Sequence, residues 1–182
     1  MNNNYIKSIK RQFLFYKKLG DDTFLQLSDD DIRWQYNLES NSIGILVKHI
    51  VGNQLSRWTN FRNEDGEKEW RHRDTEFEDG YSTKIEMVLA WEKGWNCLFE
   101  AINSLDESDL LNIIYIRNQG HTITEAINRQ LCHYAYHIGQ IIYVAKLTQN
   151  DNWKTLSIAK NKSKAFNKDK FSDEKKSKHF NE

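Results

Sequence analysis

The chain has 182 residues, 26 of them basic and 26 acidic, so its formal net charge is zero. One domain with a full core is expected, and a nucleic-acid binder held by charge, which needs a clear basic excess, is excluded. No apolar run approaches the roughly 20 residues of a membrane span, and the N-terminus lacks the apolar stretch and small-residue cleavage site of an export signal.

A soluble, cytoplasmic protein with no membrane partner is therefore expected, with Cys97 and Cys132 as free thiols. Proline is absent, so no helix can be broken by it. Aromatic residues make up 13% of the chain, with six Trp, which predicts a core or pocket rich in large rings.

Residues 3–19 carry Tyr5, Ile6, Ile9, Phe13, Tyr16 and Leu19 at helical spacing, and Gly20 reads as the C-terminal stop. Residues 21–41 form a connector, in which Ser28 before Asp29, Asp30 and Asp31 predicts a short helical turn. Ser42 then caps a second helix running to about residue 61. It is apolar around much of its circumference, the signature of a central helix or a subunit interface. Residues 62–81 are a charged loop, long enough to cover a site; the plainer reading is a solvated excursion.

Ser82 or Thr83, with Glu86 in capping-box position, opens a third helix rich in rings at Trp91, Trp95 and Phe99. The stretch NIIYIRNQGHTI reads as two short strands about an Asn118–Gly120 turn, a small hairpin or else simply an extended link. Thr124 caps a fourth helix from Glu125 to about Thr148, with an apolar stripe through Ile127, Leu131, Tyr134, Ile138, Ile141, Ile142 and Ala145. From about residue 161 the composition turns to Lys, Asp, Ser and Asn, which predicts a mobile polar tail over 161–182 after a folded unit of residues 1–160. Four principal helices with apolar faces argue for an all-α four-helix bundle, with a short hairpin before the last long helix.

His133 and His137 stand four apart on that last helix, one above the other on one face at the border of the stripe. Two imidazoles so placed can ligate one metal ion from a rigid element. Two ordinary helix histidines with hydrogen-bond partners are the plainer alternative, because this spacing also arises by chance. Neighbours on a helix point about 100° apart, so Cys132 is not expected to share an ion with His133. His72 and His121 lie in loops and His179 in the tail, and none of these is expected to be a ligand.

The blocks HIVGNQLSRWTNF at 49–61, DGEKEWRHRD at 65–74, WEKGW at 91–95, EAINRQLCHYAYHIGQIIYVAKL at 125–147 and WKTLSIAK at 153–160 carry a resemblance. In their order and content the chain resembles the DinB/YfiT-like superfamily of metal-binding four-helix bundles, and within it a DinB-like branch of unknown function. The resemblance covers roughly residues 3–165. It implies one ligand from the second helix and an HxxxH pair from the fourth, which fall on His49, His133 and His137. It also implies a homodimer. One departure stands out: the Pro and Gly expected after the LSI segment are replaced by SIAKNKSKAF, which bears on how the final segment folds back.

Three neutral imidazoles would leave a divalent transition metal (Zn, Ni, Mn or Fe) with open positions, unlike a closed structural zinc site. Such an ion activates a coordinated water or thiol near neutral pH. Asn53, Gln130 and Gln140 are candidates to hold the imidazole tautomers from outside. Arg57, Arg129 and Trp58 read more readily as structural residues than as substrate contacts. By resemblance, the expected activity is metal-dependent S-transfer of a small thiol of the bacillithiol type to an electrophile, or a related detoxifying reaction. A non-catalytic metal-binding or stress-response protein is one alternative. A metal-dependent hydrolase is another, and only the acidic residues of loop 62–81 could supply its base.

Overall fold

The computed structural model describes residues 4–78 and 80–177. The chain is mostly helical. Helix α1 (Asn4–Phe24) is followed by the short α2 (Asp29–Arg33), then α3 (Ile43–Trp58) and α4 (Lys84–Asn103). Strands β1 (Ile113–Ile116) and β2 (Gln119–Thr122) precede α5 (Ile123–Gln149) and α6 (Ser163–Ser172). The four long helices α1, α3, α4 and α5 enclose one core. Both α3 and α1 pack against α4 and α5.

The core is built on rings. Phe13 of α1, Trp91 and Trp95 of α4 and Tyr134 of α5 are all fully buried, and their rings meet edge-on or tilted at centroid separations of 5.3–6.3 Å. Such geometry sets the electron-poor ring edges against the electron-rich faces. The apolar circumference of α3 is spent inside this chain. Ile43, Leu46, Val47 and Ile50 are buried among α2, α4, α5 and the 3₁₀ turn Asp74–Phe77.

Three local expectations are corrected. Gly20 does not end α1, which runs on to Phe24. A glycine stop needs a left-handed residue, and no described glycine has positive φ. Gly20 is instead where α4 approaches: a Cβ built there would lie 2.5 Å from Trp91 Cζ2. The hairpin turn is Arg117–Asn118, not Asn118–Gly120. Both residues have left-handed φ, 55° and 59°, as a two-residue type I′ turn requires, and Ile116 pairs with Gln119. The cap of α5 is Thr122, not Thr124. Thr122 and Glu125 form a reciprocal capping box, while the Thr124 hydroxyl donates to Leu110 O at 3.0 Å.

Other starts follow the sequence signals. Ser28 caps α2, Ser42 caps α3, and Thr83 with Glu86 caps α4. Beyond α5, Gln26 pins the chain by two bonds to the Lys154 backbone, and Trp153 packs on the core. The polar segment contains α6, every residue of which is exposed. His179 and the end of the expected tail lie outside the described residues. No helix among the described residues is long and apolar enough to cross a membrane.

Candidate metal centre

Helix geometry makes the site. His49 lies mid-way along α3, and His133 and His137 lie one turn apart on α5, where those two helices pack together. His49 and His137 are buried, and His133 is half-buried. The Nε2 atom of His133 is 3.2 Å from Nε2 of His49 and 3.2 Å from Nε2 of His137. The three rings stand nearly perpendicular, with centroids 4.8–5.2 Å apart. Among the described residues this is the cluster whose ligand atoms all lie close together, within 4.8 Å of one another.

Every Nδ1 on the far side of these rings has an oxygen partner. His49 Nδ1 is 2.8 Å from Glu76 Oε2, His133 Nδ1 is 3.3 Å from Gln130 Oε1, and His137 Nδ1 is 2.8 Å from Gln140 Oε1. A carboxylate can only accept, so Nδ1 of His49 carries the proton. With the amide oxygens in the same role, all three Nε2 lone pairs turn toward one point. Burial pushes His133 down to about 3, helped by the charges His137 and His49 would carry. Burial likewise takes His137 down to about 4, against a raising hydrogen bond from Gln140. Both are therefore neutral, and ready to ligate, throughout the ordinary pH range.

The donor set fits a divalent ion. With the protons on the Nδ1 atoms, three acceptor nitrogens face one another and repel unless a cation or a water sits among them. Tetrahedral ligands at the roughly 2.0–2.1 Å of a zinc–imidazole bond lie about 3.4 Å apart, close to the two 3.2 Å separations from His133 Nε2. The described cluster supplies no fourth ligand, so an ion held here would keep open positions.

Glu76 was not singled out from the sequence. It comes from the 3₁₀ turn Asp74–Phe77 within the charged loop, which thus covers the site. Its carboxylate is buried and also accepts from Arg71, Nε at 2.8 Å and Nη2 at 3.0 Å. Burial pushes this carboxyl up, but the hydrogen bonds from His49 and Arg71 outweigh it and hold it below the usual range. Gly52 makes the approach possible, since a Cβ there would overlap Glu76 Oε1. The loop is fastened at its start to the hairpin. Asp65 accepts from the Arg117 and Asn118 backbone at 2.8 Å, and Gly66 N donates to Tyr115 O at 2.8 Å.

Gln130 and Gln140 stand where outer partners of the ligands were expected. Asn53 does not: its Oδ1 accepts from the Tyr134 hydroxyl at 3.0 Å, and Glu76 takes the role at His49. Trp58 is buried, donating to the same hydroxyl at 3.3 Å. Arg57 and Arg129 line a cleft of about 370 Å³ that opens beside His49 and His133, with Cys132 on its wall. His72 is exposed and His121 sits on β2, both outside the cluster.

The architecture has solved counterparts. A DinB-like protein from Bacillus cereus superposes with a TM-score of 0.60 at 13% identity, over 77% of this chain and 90% of that one. A conserved protein from Enterococcus faecalis gives a TM-score of 0.60 at 14% identity, over 76% of this chain and 94% of the other. The fold is thus that of DinB-like proteins, in line with the resemblance in the sequence. Residues 1–162 match the sequence model of the family described as Protein of unknown function (DUF1572), and the chain belongs to that family. No curated protein matches.

Proposed function

We propose that this chain is a four-helix bundle of the DinB/YfiT type that binds one divalent transition metal through His49, His133 and His137. We further propose that it serves transfer of a small thiol of the bacillithiol type to an electrophile, or a related detoxifying reaction. The observation that carries the metal reading is the convergence of three Nε2 atoms whose Nδ1 partners all face oxygen acceptors. A divalent ion there would lower the pKa of a thiol brought to it and so supply a nucleophile near neutral pH.

Room for two reactants supports the transferase reading. The Arg-lined cleft lies on one side of the histidines. A larger cleft of about 860 Å³, lined by Trp34, Tyr36, Tyr143 and Gln140, reaches the site through Gln140, the partner of His137. Tyr136 borders both, its ring centroid 4.0 Å from that of His137 and 5.4 Å from that of His133. Hydrolysis is less well supported. It needs a free base beside the ion, and the nearest carboxylate, Glu76, is engaged by His49 and Arg71 and held ionised at a low pKa.

The test is a single-turnover assay of the metal-loaded protein with bacillithiol and monochlorobimane. A metal-dependent rate that His137→Ala removes is expected; no rate above the metal-free protein leaves only the binding role. By the same resemblance we propose a homodimer in the cytoplasm. Because α3 is covered by its own chain, the docking surface would be another, such as the outward face of α4 where Ile85 and Leu89 are exposed. A monomer mass by light scattering at micromolar concentration contradicts the dimer.

A further inference from the structure

Although the chain as a whole is neutral, the cleft beside the histidines is not. Of its eleven lining residues five are arginines (Arg57, Arg71, Arg73, Arg117 and Arg129) and none is acidic. Among the described residues, two carboxylates touch these guanidinium groups. Glu76 holds Arg71, and Glu67 is shared among Arg117 at 3.1 Å, Arg57 at 3.5 Å and Arg71 at 3.7 Å. Asp65 lies nearby, but its oxygens accept from the backbone N–H groups of Glu67, Arg117 and Asn118. Arg73 rests over the Phe77 ring, with no carboxylate partner among the described residues. Arg129 has no acceptor there at all.

Arg57 is the telling member. It is 6% exposed, and its Nη1 donates to Gly66 O, yet its buried Nε has no acceptor among the described residues. A buried guanidinium with an unpaired N–H beside the like charges of Arg71 and Arg129 is costly in an isolated chain. Burial first, then the charges of Arg71 and Arg129, lower its pKa against the pull of Glu67. An incoming anion would relieve both the unpaired donor and the mutual repulsion.

The placement along the helices relates this charge to the histidines. Arg129 precedes His133 by one turn of α5, about 6 Å along the axis, and Arg57 follows His49 by two turns of α3, about 12 Å. The planar forks of arginine match a carboxylate or phosphate through paired N–H donors.

We propose that the cleft is an oxyanion-binding subsite. In it Arg57 and Arg129 grip a carboxylate or phosphate of a small-molecule substrate and so present another part of that molecule to the three histidines. The substrate class for the site is thus an anionic small molecule. This rests on the metal reading only for the role of the neighbouring histidines; the subsite itself belongs to the arginines.

The experiment is calorimetric titration of the full chain at low ionic strength, metal-free and zinc-loaded, with succinate in one arm and inorganic phosphate in the other. Arg129→Gln is the main variant, because its side chain is exposed and bears no structural bond; Arg57→Gln is the second. Saturable binding of at least one anion to the metal-free wild type is expected, weakened about tenfold or more by Arg129→Gln, as loss of a charge-assisted bond implies. Zinc content of that variant should be unchanged. The arm that binds says whether carboxylate or phosphate is the better match. No binding in either arm, or equal binding by wild type and Arg129→Gln, overturns the subsite. Loss of the metal reading alone would leave the metal-free titration intact, so the two failures are distinguishable.

Discussion

At the residue scale the centre depends on groups that never touch an ion. Glu76 fixes the proton on His49 Nδ1, and Arg71 keeps Glu76 ionised. Glu76→Gln keeps the size of the side chain but removes the charge that supports the imidazole. We expect zinc affinity to fall about 10- to 100-fold, the usual cost of losing such a partner, as read by competition with a chromogenic chelator; unchanged affinity would mean that Glu76 is only a loop anchor. The histidines also couple folding to pH. In the folded chain His133 and His137 take protons only near pH 3 and 4, whereas unfolded they do so near 6.5. Between those values the unfolded chain holds more protons, so the stability these groups contribute is present above pH 6.5 and is lost as the pH falls toward 4. The urea midpoint of metal-free protein should drop over that interval, and His137→Gln should make the drop shallower. Parallel curves for the two proteins would contradict the burial argument. The pair at 133 and 137 was legible because helical period puts both positions on one face, whereas His49 joined it only through the resemblance. Glu76 and Arg71 were not legible, because a loop residue reaches its partner through tertiary folding and leaves no period in the chain.

At the element scale, capping chemistry was readable at three helices but misplaced by two residues at α5, and glycine was not readable. Ser28, Ser42 and Thr83 cap as their side chains predict, since the bond closes within three residues. Gly20 carried the same local signal as a helix stop, and its real role lies against Trp91, far along the chain. The difference has a sign. Alanine is the better helix former by about 1 kcal/mol, so Gly139→Ala, on the exposed face of α5 with nothing within 4 Å, should stabilise by up to that amount. Gly20→Ala should destabilise instead, by about 1–3 kcal/mol, because the methyl group overpacks the Trp91 ring. Denaturant melts of both variants check this, and stabilisation by both would return Gly20 to a surface role. The hairpin shows the same limit. Two strands were foreseen, but not that their Arg117–Asn118 tip holds, through Asp65, the loop that brings Glu76 to His49.

At the scale of the whole molecule, a neutral chain concentrates positive charge in one cleft and brings three imidazoles together beside it. The resemblance in the sequence blocks led to the fold, and the solved DinB-like structures share it at identities too low to speak of activity. What the architecture adds is placement: α3 and α5 pack so that their histidines meet, and the Asp74–Phe77 turn closes over that meeting point. The most direct test of the account is the metal content of tag-free protein after equilibrium dialysis against zinc, measured by mass spectrometry beside His49→Ala, His133→Ala and His137→Ala. One ion per wild-type chain, lost or greatly reduced in each variant, is the result predicted. Full retention by all three variants, or no ion in the wild type, would contradict it.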